Sequence, residues 1–203
     1  MAKKLNVKIL LQALKKQYPK AKISLNYKNS LELLVATILS AQCTDKMVNK
    51  VTESLFKKYK SSRDYANADI NKFEQDIRST GFYRNKAKNI KVACKILLES
   101  HGGRVPDTML ELLALPGVAR KTANIVLQNA FGKIEGIPVD THVKKASYKF
   151  GLSDNQNTDK IEQDLMKLFP KSEWYGLTYR IIEHGRDCRY KKQDCKICKF
   201  IVK

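Results

Sequence analysis

Helical periodicity runs through almost the whole chain, and it narrows the choice of fold more than any other feature. Val7, Leu10, Leu11, Leu14 and Tyr18 recur at the three- and four-residue spacing of one helical face, and Pro19 stops the run. Leu31 to Leu39 is nearly all apolar and reads as a buried helix. Met47, Val51, Leu55 and Tyr59 repeat every four residues, and Ile90, Cys94, Leu97 and Leu98 form the next stripe, ended by Gly102 and Gly103. Thr108 and Glu111 have the spacing of a capping box ahead of Leu112, Leu113 and Leu115. Four more helices are expected. They cover 122–131, closed by Gly132; 143–150, closed by Gly151; 161–169, stopped by Pro170; and 174–182. No segment alternates with a period of two, so the fold class expected is all-α.

Such a chain still needs a partner that explains its charge. Its 203 residues carry 39 Lys+Arg against 20 Asp+Glu, a formal charge of +19. Hydrophobic residues make up 43%, too many for a disordered basic tail. The excess points to a polyanion, with nucleic acid first and an anionic membrane surface second. Nowhere do about 18 apolar residues run together, and no amphipathic anchor stands out, so no membrane partner is expected. The basic Met1–Leu5 stretch leads into no apolar run or small-residue cleavage site, so it is not read as a signal peptide, and the expected compartment is the cytoplasm. Of five cysteines, Cys43 and Cys94 sit inside apolar helical patterns and read as core thiols. Cys188, Cys195 and Cys198 crowd together near the end, a clustering that argues for metal over disulfides.

The segment Leu115-Pro116-Gly117-Val118-Ala119-Arg120-Lys121-Thr122-Ala123 is the most informative. Pro116 ends one helix, Gly117 permits a tight turn, and a second helix starts within a few residues. The free N–H groups and positive dipole end of that second helix make a phosphate site, reinforced by Arg120 and Lys121. Contacts of this kind grip DNA without reading sequence.

This stretch resembles the helix-hairpin-helix of the endonuclease III family of DNA glycosylases. Three further pieces match in order: Ser40-Ala41-Gln42-Cys43-Thr44-Asp45, Ile137-Pro138-Val139-Asp140-Thr141-His142-Val143, and His184-Gly185-Arg186 with the cysteines that follow. The resemblance spans about residues 30–198. It implies two helical domains flanking a DNA-binding groove, one over 24–132 with the hairpin, the other combining 1–23 with 133–203 and the cysteine loop. Lys121 and Asp140 are expected to face each other across the groove mouth.

The resemblance also implies the chemistry: a monomeric, nucleoid-associated base-excision repair enzyme acting on damaged double-stranded DNA. It removes oxidised pyrimidines and cuts the abasic site by β-elimination. Lys121 matches the lysine that displaces the base and forms a Schiff base with the sugar; its place in a first helical turn beside Arg120 favours the free amine. Asp140 matches the carboxylate that helps deprotonate the lysine and stabilises positive charge on the sugar, and it also reads as an N-cap. Gln42 matches the residue that fills the gap left by the extruded base, and Phe82 lies in the loop of the apolar wedge. Lys86 and Lys88 read as phosphate contacts, with Gly117, Ala119 and Arg120 at the hairpin. Ala119 stands where the family usually has a second glycine, which predicts weaker or shifted phosphate contact. Adenine-specific and some mismatch-specific relatives lack the lysine. A monofunctional glycosylase and a non-catalytic duplex-binding module are the rival readings.

Cys188, Cys195 and Cys198, separated by six and then two residues, match the first three ligands of the family's [4Fe–4S] loop. A fourth cysteine follows after five more residues in the family; here those are Lys199 to Lys203, the last given. Three readings stay open. The chain is clipped before the ligand, a three-cysteine cluster borrows another ligand, or no iron cluster forms and the loop is bare or binds zinc, with His184 as fourth donor. The clipped or three-ligand cluster is the expectation. Its implied role is structural, holding Arg186, Arg189, Lys191 and Lys192 against phosphates.

Overall fold

The computed structural model describes residues 6–188, 190 and 195–200. Among them the chain forms α1 (Val7–Gln17), α2 (Ser30–Leu39), α3 (Asp45–Lys58), α4 (Ser62–Asn67), α5 (Ile70–Asp76), α6 (Tyr83–His101), α7 (Met109–Leu113), α8 (Arg120–Ala130), α9 (Thr141–Lys149), α10 (Thr158–Leu168) and α11 (Lys171–Asp187). Single 3₁₀ turns cover Arg78–Thr80 and Cys198–Phe200, and no strand occurs among the described residues. Most helices begin at a short polar side chain that accepts one of the first N–H groups, as Asn6, Asn29, Thr44, Thr108 and Asn157 do. Three do not: α6 follows Phe82, α8 follows Ala119 and α11 follows Pro170, none with a side-chain cap. None of the described helices is long and apolar enough to cross a membrane.

The chain divides into two compact units, one over Ser24–Lys133 and the other combining Met1–Ile23 with Ile134–Lys203. In the first, α2 is buried along Leu33–Leu39, because its apolar residues leave no polar face, and it packs on α8, α3 and α6. Each fully buried leucine there contributes about 1.5–3 kcal/mol. The short α4 and α5 were not visible as periodic stripes. They are held by aromatic rings: Tyr65 stacks on Tyr59 at 5.1 Å between centroids, and Phe73 meets Tyr59 edge-on at 5.3 Å. Burial pushes the Cys94 thiol up to about 12, as a core position requires. Cys43 differs from the expected core thiol: it is only half-buried, because α2 has ended and the chain is turning toward solvent.

In the second unit α1 and α9 pack against α11, and α10 packs against α9. Leu10, Leu14, Val143, Phe150, Leu165 and Leu177 form its core. Ile197, from the cysteine segment, is buried in that same core and anchors the segment to it.

Candidate nucleic-acid interface and metal centre

At the hairpin the Val118 N–H donates to the Leu115 carbonyl at 3.1 Å, closing a turn around Pro116 and Gly117. Gly117 has φ +80°, and a Cβ there would lie 3.1 Å from Asn89 of α6, so both the turn and the close approach require glycine. Ala119 has φ −93° and ψ 171°, an extended conformation open to any residue. The methyl group at this position therefore costs no backbone strain. As an N-cap, Ala119 offers no side-chain oxygen to the start of α8, and a helix N-terminus favours an anionic acceptor. Arg120 is the first residue of α8 and half-exposed; Lys121 is the second and exposed.

Two exposed residues of the same unit adopt the left-handed conformation. Cys43 N–H donates to Ser40 O at 3.1 Å, closing a turn that presents Gln42 with φ +52°. Phe82, with φ +48° and 64% exposed, sits between Gly81 and α6. Left-handed backbone costs a non-glycine residue about 1–2 kcal/mol. Together with the exposure of a phenylalanine, that strain marks both positions as functional candidates.

Lys86 corrects the phosphate-contact expectation. It is 5% exposed, and its ammonium donates to Leu39 O and Thr80 O at 2.8 Å each. Burial lowers its pKa. A charge enclosed by two carbonyls has no face left for DNA; Lys88, two residues on, is exposed.

In the other unit Asp140 is the N-cap of α9. Its Oδ1 accepts from Val143 N–H at 2.8 Å, and no described residue bonds to Oδ2. Four potential metal donors also converge there. His184, Cys188, Cys195 and Cys198 each place one ligand atom within 4.8 Å of the others. Cys188 Sγ and Cys198 Sγ are 3.3 Å apart, and Cys198 Sγ is 3.8 Å from His184 Nε2. His184 is fully buried, which lowers its pKa and keeps an imidazole lone pair available. Its Nδ1 lies 3.4 Å from the Tyr18 hydroxyl, which donates to Asp187 Oδ2 at 3.2 Å. Burial, assisted by this bond to Asp187, pushes the Tyr18 phenol up. Tyr18 stands where the outer hydrogen-bond partner of a metal-ligating imidazole is found. Tyr18 was not foreseen in this role, because nothing local in sequence links it to a residue 166 positions away. Three thiols and an imidazole are soft to borderline donors and suit iron–sulfur chemistry or zinc. Arg186 is exposed; the Arg189, Lys191 and Lys192 contacts and the Met1–Leu5 reading lie outside the described residues.

Residues 35–171 match the family model described as HhH-GPD superfamily base excision DNA repair protein. The chain is 51% identical to endonuclease III of Synechocystis sp. over 200 residues, 98% of this chain and 91% of that one. Its fold superposes with a TM-score of 0.91 on a non-covalent endonuclease III–DNA complex, 42% identical and covering 96% of this chain and 93% of that one. A trapped endonuclease III–DNA covalent intermediate, an estranged-adenine complex, gives a TM-score of 0.87 at 44% identity, covering 94% and 89%.

Proposed function

The chain belongs to the HhH-GPD superfamily of base excision DNA repair proteins and, within it, to the endonuclease III family, and on that premise we propose that it excises oxidised pyrimidines from duplex DNA and cuts the resulting abasic site. The observation that carries this reading is Lys121, an exposed lysine in the first turn of a helix with no side-chain cap, directly after a Pro-Gly turn. The α8 N-terminus receives a backbone phosphate on its N–H groups, with Arg120 beside it. That contact brings the damaged nucleotide's sugar to Lys121. The enzyme acts in the cytoplasm, as a monomer, on nucleoid DNA.

The chemistry follows from an amine and a carboxylate. Lys121 Nζ, as free amine, attacks C1′ of the extruded nucleotide; the C1′–N glycosidic bond breaks and the base leaves with that electron pair and takes up a proton. The sugar ring opens to a Schiff base between Nζ and C1′. Loss of a C2′ proton then expels the 3′ phosphate by β-elimination, and water hydrolyses the imine to regenerate the lysine. Asp140 accepts the ammonium proton and stabilises positive charge on the sugar. Its cap bond to Val143 holds the carboxylate in place and leaves Oδ2 for this work. Gln42 fills the vacated position in the stack and Phe82 wedges between base steps.

Cys188, Cys195 and Cys198 would hold the [4Fe–4S] cluster that the family implies, and His184 Nε2 is a fourth potential donor in the same group. Bound, the cluster supplies a structural staple. The convergence of all four donors within 4.8 Å favours a second reading, a single zinc ion in a Cys₃His set. A brown protein containing iron and sulfide is expected; colourless protein with one zinc ion selects the second reading.

The functional test is a panel of duplexes with single oxidised pyrimidines. Base release together with scission 3′ to the lesion, leaving an unsaturated aldehyde terminus, is the expected result. Base release without scission would identify a monofunctional glycosylase, and salt-sensitive binding without turnover a binding module.

A further inference from the structure

The ammonium of Lys86 is buried without a carboxylate partner among the described residues. Its two acceptors are the last carbonyls of two different elements: Leu39 O closes α2, and Thr80 O closes the Arg78–Thr80 turn. Carbonyls at helix ends have no partner within their own helix, and a cation is the natural group to satisfy them. Each acceptor is followed, two or three residues later, by an exposed left-handed residue: Gln42 after Leu39 and Phe82 after Thr80. Lys86 also grips the second segment through its backbone, because its N–H donates to Phe82 O at 3.1 Å. One residue in the first turn of α6 therefore ties together the roots of both projecting loops.

We propose that Lys86 is a positioning residue that sets the spacing between Gln42 and Phe82, so that both enter the duplex at one lesion. The inference rests on the reading of those two side chains as the groups that open the stack. A buried lysine suits the task because it has three donors on a compact head, and its apolar stem packs in the interior while the head spans two carbonyls. Among the described residues, no other side chain of α6 hydrogen-bonds to the end of α2 or to the Arg78–Thr80 turn.

The test uses Lys86→Met, which keeps the stem and removes the donors. Three quantities are measured for the full chain: the urea midpoint, affinity for undamaged duplex, and extrusion of a lesion followed by fluorescence of 2-aminopurine placed beside it. Extrusion is expected to slow between about tenfold and a hundredfold, the upper figure being the scale of a misplacement near 1 Å. Affinity for undamaged duplex, which comes from phosphate contacts, is expected to stay within about twofold. In the Lys86→Met background Phe82→Ala should cost much less than it does in the unaltered protein, because the wedge is already misplaced. Unchanged extrusion, or equal loss of extrusion and of undamaged-duplex binding, overturns the proposal. Should Lys86→Met fail to fold, Lys86→Arg replaces it. The larger guanidinium spreads the two carbonyls, so the same selective loss is expected, and extrusion at the unaltered rate overturns the proposal. Phe82→Ala and Gln42→Ala in otherwise unaltered protein separate the two levels. If neither slows extrusion, the reading of these side chains fails; if both do and the Lys86 variants do not, only the Lys86 inference fails.

Discussion

Asp140 caps α9 with one oxygen, and the proposed catalytic work falls to the other; a substitution separates the two. Asparagine caps a helix as well as aspartate does, so Asp140→Asn is expected to keep stability within about 0.5 kcal/mol while turnover falls about a hundredfold or more. Asp140→Ala loses the cap as well, at about 1 kcal/mol, read from the urea midpoint. Gly117→Ala forces a methyl group into left-handed backbone and against Asn89. We expect it to cost about 2 kcal/mol and to weaken duplex binding. Local motifs were legible in the sequence. The Pro-Gly turn and the lysine two residues after Ala119 stand out in the sequence. Lys86 did not, because in a chain this basic another lysine reads as solvent-exposed. Its burial is decided by carbonyls at residues 39 and 80, which no local pattern brings together.

Elements were legible in proportion to their length. The long amphipathic helices announced themselves by spacing and by Gly or Pro stops. The six-residue α4 and seven-residue α5 are too short to display a helical period. The signal that marks α4 is Ser61 followed three residues later by Asp64, a reciprocal capping box. Asp64 Oδ2 accepts from Lys60 N–H at 2.8 Å and Ser61 N–H at 2.9 Å. The Lys60 backbone bond first, and then the Ser61 bonds, hold its carboxyl below the usual carboxylate range. The folded state therefore binds fewer protons than the unfolded chain in mild acid. The contribution of Asp64 is complete above the unfolded value of about 3.9 and is lost as pH falls through the lower folded value. Asp64→Asn should flatten the acid limb of the stability curve measured by urea unfolding. A limb identical to that of the unaltered protein would show that the box contributes nothing.

For the whole molecule, the charge of +19 was readable at once, whereas its distribution was not. Some cations are spent inside: Lys86 on two carbonyls, and Lys91 on Ala66 O and Ala68 O at the end of α4. The exposed remainder sets the salt dependence. If about six phosphates are contacted, affinity for undamaged duplex falls about a thousandfold between 50 and 200 mM salt. Arg120→Ala should reduce the log–log slope by about one, while Phe82→Ala leaves it unchanged. The four candidate metal donors were legible, because they share one C-terminal segment; the Tyr18 contact beside them was not. That contact, between the Tyr18 hydroxyl and His184 Nδ1, joins residues 166 positions apart. The proposed reaction turns on one covalent bond, between Lys121 and the sugar. Borohydride reduction in the presence of abasic duplex, followed by peptide mapping of the trapped adduct, tests it most directly. The predicted result is a single adduct on the peptide containing Lys121, absent from Lys121→Ala; an adduct on another amine, or trapping that survives Lys121→Ala, would contradict it.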